Sequence, residues 1–307
     1  MNRDIESLKK ELSKAIIGQD DMIEGLIIGL LSDGHILVEG VPGLAKTSTI
    51  NAFALALGLD FKRVQFTPDL LPTDIIGAEI YDPHSSIFKI KKGPLFTNLL
   101  LADEINRAPS KVQSALLEAM QERQITIGDE SFKLDRPFLV MATQNPIEQE
   151  GVYRLPEAQL DRFMMKLVVG HNSQDDELEI MRKASTNSFE SVNCVFDINK
   201  LNQLKKELES VHIDLELERY IIKIVSATRE PNQNIRFGAS PRASIDLHKA
   251  CRAKAFIRGN SFVTPADIGF IAHSVLRHRV VLSYEAQAKA ISSDEVISDI
   301  LKIVPIP

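Results

Sequence analysis

The residues with the clearest chemical potential form a loop that combines glycines with a lysine and a hydroxyl side chain. An apolar stretch of strand character, residues 35–39, precedes the loop, and apolar residues recur at helical spacing after it, from Ser48 to Leu57. Between a strand and a helix, backbone N–H groups and the positive helix end attract phosphate groups. Lys46 would reach the terminal phosphates, and the Thr47 hydroxyl would hold Mg²⁺. We predict phosphate contacts for Gly40, Val41, Pro42, Gly43, Leu44, Ala45, Lys46, Thr47 and Ser48.

Ala45 stands directly before the lysine, where loops of this kind usually have glycine. Alanine carries a β-carbon and therefore favours negative φ angles. We expect Ala45 to adopt a negative φ, which is compatible with its position next to the start of the helix.

Two adjacent carboxylates, Asp103 and Glu104, come directly after an apolar run that is typical of a buried strand. In open α/β sheets, ligands bind outside the carboxyl ends of the strands. Asp103 is therefore predicted to hold Mg²⁺, directly or through water, and Glu104 to orient or deprotonate an attacking water. Asn145 follows a neighbouring apolar strand, and its amide could hydrogen-bond a γ-phosphate or that water. A solvent-facing acidic pair and a turn asparagine are the alternatives without a ligand.

Two other features could contact a nucleotide. Ile16, Ile17 and Gly18 lie upstream of the loop, where apolar residues often cup the base, so Ile17 and Gly18 are candidate base contacts. Core packing is the alternative for both isoleucines. Arg242 falls in the first turn of a helix that Ser240 caps, where the helix dipole disfavours a cation. Its partner would be either an anionic ligand or a carboxylate of the protein itself.

The order of the predicted elements indicates an α/β fold. Five apolar strands alternate with helices in the first part of the chain, which predicts a parallel, doubly wound sheet. Two hairpins interrupt this pattern, at residues 77–96 and 124–134. The rest of the chain has helical periodicity, so we place one domain at 1–172 and a second, helical domain at 173–307. The run Arg277-His-Arg279 is interpreted as a solvated or ion-paired helix end.

Composition is that of a soluble globular protein, with 307 residues of which 44% are hydrophobic and 25% charged. The net charge of −6 argues against an extended nucleic-acid surface. Cys194 and Cys251 form neither a disulfide framework nor a metal-ligand spacing, which fits a reducing cytosol. The charged N-terminus does not have the pattern of a signal peptide, and no apolar run near it is long enough to span a bilayer.

Taken together, these motifs resemble the MoxR family of AAA+ ATPases, in the clade that carries an insert in helix 2. The resemblance implies an α/β P-loop AAA+ core with a five-stranded parallel sheet and β-hairpin inserts, followed by an all-α C-terminal lid domain. The hairpin at 77–96 would be the helix-2 insert, and the one at 124–134 the pre-sensor insert. The resemblance covers nearly the whole chain and is strongest at residues 65–72, 99–109, 115–124, 142–151 and 155–163.

The same resemblance implies roles for the candidate residues. Lys46 and Thr47 would belong to the Walker A motif. Asp103 and Glu104 would form Walker B, and Asn145 would be the first sensor.

The resemblance also implies an assembly. Arg162, in the sequence Leu-Asp-Arg-Phe, would be the arginine finger given to the neighbouring subunit, and Arg242 the second sensor. Pairing with Glu157 or Asp161 on the surface of its own chain is the alternative for Arg162. The family often has alanine at the position of Ala45. Its members use ATP and Mg²⁺ as chaperone-like remodelling ATPases, commonly hexameric, alongside partners bearing von Willebrand factor A domains. We therefore expect a ring of identical subunits and such a partner, while the sequence does not indicate which protein is remodelled.

Three other functions share some of these features. Residues 74–77 match the Asp-x-x-Gly motif of GTP-dependent switches, but residues 199–202 fail as the guanine-reading motif at their last position. A nucleic-acid motor would use the second hairpin, which contributes only Lys133 against Asp129 and Glu130. A magnesium-chelatase-like subunit shares the fold and the insert, so the sequence leaves it open as an alternative.

Overall fold

The computed structural model describes residues 2–84, 86–146, 153–186 and 189–307. The stretch 142–151 is one of those with the strongest resemblance to the MoxR family, and its last residues, 147–151, lie outside the described residues. The elements of the first part are α1 (Arg3–Leu12), α2 (Asp20–Leu31), β1 (Ile36–Glu39), α3 (Lys46–Ala56), β2 (Phe61–Gln65), α4 (Pro72–Ile76), β3 (Gly77–Asp82), β4 (Ile87–Lys92), β5 (Leu99–Asp103), α5 (Ser110–Glu122), β6 (Gln124–Ile127), β7 (Glu130–Lys133), β8 (Leu139–Gln144), α6 (Glu157–Leu160) and β9 (Met165–Val168). Those of the second part are α7 (Gln174–Ser185), α8 (Ile198–Glu209), α9 (Leu215–Ala227), β10 (Ile235–Phe237), α10 (Pro241–Ile257), α11 (Pro265–Leu276), β11 (Val281–Leu282), α12 (Tyr284–Ala288) and α13 (Ser293–Ile303).

Five strands form one parallel sheet in the order β2-β5-β8-β1-β9, which confirms the predicted fold class. Successive residues of a strand point to opposite faces of the sheet. In β5, Leu99 and Leu101 pack into one apolar layer, and Leu100 and Ala102 pack into the other. The unbroken apolar run before Asp103 therefore belongs to a strand that is covered on both faces.

The carboxyl ends of these strands bring polar residues together at one edge of the sheet. Gln65 at the end of β2 lies opposite Asp103 at the end of β5. Gln144 at the end of β8 lies opposite Glu39 at the end of β1. Because the glycine loop leaves the sheet at the end of β1, it lies at the same edge as the carboxylates.

Both predicted hairpins are present as antiparallel strand pairs, β3 with β4 and β6 with β7. Gly128 has a φ of 58° in the turn of the second hairpin, where its lack of a side chain permits the left-handed conformation. Near the end of the first hairpin, Tyr81 and Phe88 are exposed and pack on each other with ring centroids 5.4 Å apart.

The chain beyond residue 173 is mainly helical, as predicted. Ser173 and Asp176 form a capping box at the start of α7, and Ser240 caps α10 with Pro241 in its first turn. The antiparallel pair of β10 and β11 was not predicted, because strands of three and two residues are too short to show an alternating pattern. The apolar core of these helices is continuous with one layer of the sheet, and the division at residues 172 and 173 stays a proposal. In the described part of the chain, no helix is both long and apolar enough to cross a membrane.

The segment after α11 differs from a solvated helix end. His278 and Arg279 are buried, with exposed fractions of 6% and 5%. Arg279 forms ion pairs with Asp161 and Asp246. Arg277 also forms an ion pair, with Asp294, so the interpretation as an ion-paired end is confirmed for both arginines.

Candidate active site

The loop between β1 and α3 is anchored to the sheet and leaves space for a ligand. Gly40 donates its N–H to the carbonyl of Gln144 at the end of β8, at 3.3 Å. Gly43, with a φ of 88°, has no atom within 4 Å of the place where a β-carbon would stand. The N–H groups in the first turn of α3 have no partners within the helix and are available to an anion.

Lys46 is the first residue of α3, and its Nζ donates a hydrogen bond of 2.6 Å to the carbonyl of Gly40. Burial lowers the pKa of the Lys46 ammonium, while the negative charges of Asp103 and Glu104 raise it. An ammonium that has lost part of its hydration favours an anionic partner. The Lys46 side chain is therefore suited to bind a phosphate.

Ala45 adopts the left-handed conformation, with φ 55° and ψ 18°, so the expected negative φ is wrong. Its carbonyl accepts hydrogen bonds from the N–H and the hydroxyl of Thr49, at 2.8 and 3.0 Å, which hold the residue in place. This conformation costs alanine about 1–2 kcal/mol. Successive residues that alternate between right-handed and left-handed conformations point their N–H groups into one concavity that binds anions. An anion-binding loop thus offers a physical reason for the strain.

Thr143 on β8 joins the two carboxylate residues. Its hydroxyl donates to Oδ1 of Asp103 at 2.6 Å and accepts the backbone N–H of Glu104 at 2.8 Å. The other carboxylate oxygen of Asp103 accepts from Arg63, whose Nε and NH2 lie at 3.2 and 2.7 Å. The orientation of Asp103 is therefore set by the two strands on either side of β5.

Glu104 follows β5 in the left-handed conformation, with φ 56° and ψ 51°. Its Oε2 accepts hydrogen bonds from Nε2 of Gln65 at 2.7 Å and from NH1 of Arg107 at 2.9 Å. Hydrogen bonds to a charged carboxylate are stronger than those between neutral groups. The two donors therefore restrain Glu104 at the edge of the cavity.

One cavity of about 380 Å³ brings most of the predicted residues together. Asn145, directly after β8, is buried with an exposed fraction of 7% and faces this cavity. Gly40 and Val41 are not among the lining residues, and Gly40 contributes through its hydrogen bonds instead. The lining residues are Pro42, Gly43, Leu44, Ala45, Lys46, Thr47, Ser48, Arg63, Gln65, Asp103, Glu104 and Asn145.

Gly18 lines a larger cavity, of about 620 Å³, beside the edge strand β9. Its φ is 71°, and its backbone forms part of the wall together with Val169 and Gly170. Ile17 does not line this cavity, and its carbonyl accepts a hydrogen bond of 3.3 Å from Asn172. Ile16 is buried in the core. Core packing is therefore correct for Ile16, and Gly18 is better placed than Ile17 to meet a base.

Neither predicted arginine lines these cavities. Arg162 donates from NH1 to the carbonyl of Leu117 at 3.0 Å. Arg242 lies in the first turn of α10, as predicted, and its NH1 is 3.3 Å from the carbonyl and 3.8 Å from Oδ2 of Asp161. The carboxylate considered as an alternative partner of Arg242 is therefore present in the protein itself.

Sequence reasoning missed four residues of the site. Arg63 and Gln65 lie two residues apart at the end of β2, so their side chains share one face of the sheet. The sequence shows that polar residues lie at the end of a strand. Only the strand order shows that this strand is adjacent to the one that ends in Asp103. Thr143 and Arg107 gave no signal beyond their closeness to Asn145 and Glu104.

The donor set of the cavity fits Mg²⁺ that is bound together with a phosphate ligand. The Thr47 hydroxyl and the Asp103 carboxylate supply the oxygen atoms that this ion prefers, and both residues line the cavity. Within the described ranges, no group of three or more His, Cys, Asp or Glu side chains could hold a metal ion. Mg²⁺ commonly takes one or two carboxylates, with phosphate oxygens and water completing its shell.

Two family models match the chain. The model described as the ATPase family associated with various cellular activities (AAA) matches residues 35–165. The model of the AAA lid domain matches residues 227–300. The matched ranges contain the glycine loop, both carboxylates and Arg242.

Relatives with similar sequences extend over almost the whole chain. It is 47% identical to the chaperone MoxR1 of Mycobacterium tuberculosis over 305 residues, which cover 97% of the chain and 81% of that relative. A crystal structure of a protein from Cytophaga hutchinsonii is 49% identical and has a TM-score of 0.94, covering 99% of the chain and 95% of that structure. The magnesium-chelatase subunit ChlI-1 of Arabidopsis thaliana is 29% identical over 254 residues, 79% of the chain and 55% of that relative.

Proposed function

The chain belongs to the MoxR family of AAA+ ATPases, and we propose that it hydrolyses ATP with Mg²⁺ in a ring of identical subunits to remodel or mature partner proteins. The observation that carries this proposal is the cavity shared by Lys46, Thr47, Asp103, Glu104 and Asn145. Each of these side chains has a task in cleavage of the β–γ phosphoanhydride of ATP.

Binding of the phosphates is the task of the loop and of Lys46. The N–H groups of the loop and of the first turn of α3 would donate to the phosphate oxygens. Lys46 would exchange the Gly40 carbonyl for a phosphate oxygen, because a charged acceptor makes the stronger hydrogen bond. Gly18, with Ile17 behind it, would meet the base.

Asp103 and Thr47 would hold the metal ion. Mg²⁺, when bound, neutralises part of the charge that develops on the phosphates. The hydrogen bond from Thr143 would keep the Asp103 carboxylate in its present orientation. Arg63 occupies the second oxygen of Asp103, and its side chain is 47% exposed and free to swing toward solvent. We therefore expect Arg63 to release Asp103 when MgATP binds.

Glu104 is the group that would orient the attacking water and accept its proton. Asn145 would hold the water or a γ-phosphate oxygen from the neighbouring strand. Gln65 and Arg107 both donate hydrogen bonds to the same oxygen of Glu104, Oε2. Their release would leave the carboxylate free to turn toward the water.

A ring would complete the site. Charge spreads over the γ-phosphate oxygens in the transition state, and a further cation beside Lys46, Arg63 and Mg²⁺ would stabilise it. Arg162 does not line the cavity of its own chain, which supports a role in the site of the next subunit. Head-to-tail contacts of that kind close as a cyclic oligomer. We propose six subunits, because members of the family are commonly hexameric. Arg242 would act as the second sensor.

The partners follow from family membership alone. We propose a protein with a von Willebrand factor A domain as the partner and a protein substrate as the target. A magnesium-chelatase-like role has less support, because that relative is 29% identical whereas MoxR1 is 47% identical. A nucleic-acid motor also has less support, because the exposed turn of the second hairpin carries Asp129 and Glu130.

Two substitutions test the proposed chemistry. Glu104→Gln keeps size and hydrogen bonding but removes the base, so it should bind MgATP normally and hydrolyse it on the order of 10²-fold more slowly or worse. Lys46→Ala should instead lose affinity for nucleotide. Phosphate release and binding of a fluorescent ATP analogue separate the two effects. Turnover at the wild-type rate in the Glu104→Gln protein would remove Glu104 from the mechanism.

A further inference from the structure

Asp161, the residue before Arg162, is a meeting point of side chains from the C-terminal helices. The Ser240 hydroxyl contacts both carboxylate oxygens, at 3.0 and 2.9 Å. Nε of Arg279 donates to Oδ1 at 2.7 Å, and NH1 of Arg242 lies 3.8 Å from Oδ2. One carboxylate therefore contacts the first turn of α10 and the segment after α11 together.

Arg279 fixes the backbone on both sides of Arg162. Its side chain is 1% exposed. NH2 donates to the carbonyl of Asp161 at 3.1 Å and to the carbonyl of Phe163 at 2.8 Å. The same nitrogen contacts Oδ2 of Asp246 at 2.5 Å. Each nitrogen of this buried guanidinium has at least one acceptor, so the side chain is held firmly.

Arg242 is the loosely held member of the group. Its side chain is 42% exposed, its NH1 donates one long hydrogen bond of 3.3 Å to the Asp161 carbonyl, and the distance of 3.8 Å to the Asp161 carboxylate is longer than a hydrogen bond. A bound anion could therefore draw Arg242 away at low cost. The hydrogen bonds of the Asp161 carboxylate with Ser240 and Arg279 would remain, and the carboxylate would shift its position between these two donors.

We propose that Asp161 is a positioning residue that couples the first turn of α10 to Arg162 and so places the arginine that is offered to the next subunit. The inference rests on the proposed function, in which Arg162 acts on the neighbouring site. Asp161 would consequently influence hydrolysis in the adjacent subunit rather than in its own. A residue that only stabilises the fold would not have this property.

Mixed rings test the direction of the effect. The Asp161→Asn protein should bind a fluorescent ATP analogue with wild-type affinity and show a kcat reduced by about 10-fold or more, in the range of one charge-assisted contact. Mixed with Lys46→Ala protein, which supplies an intact Asp161 and Arg162, it should regain activity. In rings that form at random from equal amounts of the two proteins, about half of the Asp161→Asn sites would have such a neighbour. Mixed with Arg162→Ala protein, it should show no gain over its own reduced turnover.

The mixture of Arg162→Ala with Lys46→Ala tests the shared site separately from the role of Asp161. If that mixture fails to recover although mixed rings form, the shared site of the proposed function is wrong. If the mixture of Arg162→Ala with Lys46→Ala recovers activity but the mixture of Asp161→Asn with Lys46→Ala does not, only the role of Asp161 is overturned. Recovery of Asp161→Asn by Arg162→Ala, or wild-type turnover of Asp161→Asn alone, also overturns it.

Two further variants guard against a purely structural explanation. Asp246→Asn removes a carboxylate from the same Arg279 without removing a hydrogen bond of Arg242 or Ser240. It should lower the unfolding temperature but keep most of the turnover, and a kcat loss equal to that of Asp161→Asn would overturn the proposal. If Asp161→Asn does not fold, Ser240→Gly removes two contacts of Asp161 while retaining most of the helix cap. It should show the same pattern of recovery in mixtures, and a different pattern would overturn the proposal.

Discussion

Gln65 and Glu104 lie at the ends of adjacent strands, and the Gln65 amide donates a hydrogen bond of 2.7 Å to Oε2 of Glu104. The contact restrains the group that would activate water. Gln65→Ala removes a hydrogen bond to a charged group, worth about 1.5–3 kcal/mol, and leaves Arg107 as the remaining donor. We expect basal ATP turnover to rise several-fold, measured as steady-state phosphate release without a partner.

Lys62→Ala is the matched control for this prediction, because Lys62 lies on the same strand and donates to the Phe96 carbonyl away from the carboxylates. Its turnover should equal that of the wild type. A Gln65→Ala protein that folds normally but turns over more slowly would mean that Gln65 supports catalysis instead of restraining Glu104.

The left-handed conformation of Ala45 predicts an unusual stabilising substitution. Glycine adopts this backbone without steric penalty, but it also has more freedom in the unfolded chain. The two effects together should raise the free energy of unfolding by about 0.5–1 kcal/mol in Ala45→Gly. Urea titration at constant pH measures the change. Ala54→Gly, in the interior of α3, should shift the midpoint in the opposite direction, and equal shifts in both variants would show that strain at Ala45 is negligible.

Arg162→Ala and Lys46→Ala proteins should each be inactive alone and recover ATPase activity when combined. Mixed rings place an intact Arg162 beside an intact Lys46 site, which neither protein can do by itself. Phosphate release at several mixing ratios, with the size of the assemblies checked by light scattering, gives the measurement. Normal hydrolysis by Arg162→Ala alone would exclude a required role for this arginine.

Stability should fall as the pH falls below about 6.5, the ordinary pKa of histidine. Burial lowers the pKa of His35 to about 4. Its Nδ1 accepts the N–H of Val140 and its Nε2 contacts the Met120 carbonyl, an arrangement that requires the neutral ring. Since the unfolded chain takes up a proton at a higher pH than the folded chain, stability is fully present above pH 6.5. It decreases by about 3 kcal/mol on the way to pH 4.

Urea unfolding at pH 7.5 and pH 5 measures this slope. His35→Gln should flatten it, because the titrating group is gone while an amide can still donate to Met120. Burial also lowers the pKa of His278, so part of the slope should remain. The same substitution at exposed His84 is the control for loss of a histidine. If the pH dependence of stability is unchanged in His35→Gln, the pKa of His35 does not differ between the folded and the unfolded chain in this range.

The sequence by itself determined the five-stranded parallel sheet, the two hairpins and the helical C-terminal part, and it indicated the main candidate residues of the site. Strand periodicity, helix caps and the adjacency of Lys46 to Thr47 and of Asp103 to Glu104 are local properties, so they can be seen without a structure. Only the tertiary structure decided which polar side chains meet these residues. Gln65 and Glu104 are 39 positions apart, and Asp161 and Arg279 are 118 apart. Strand order and the packing of the C-terminal helices bring them together, and local patterns do not encode either. The φ of Ala45 was decided in the same way, because closure of the loop against β8 and α3 outweighs the intrinsic preference of alanine.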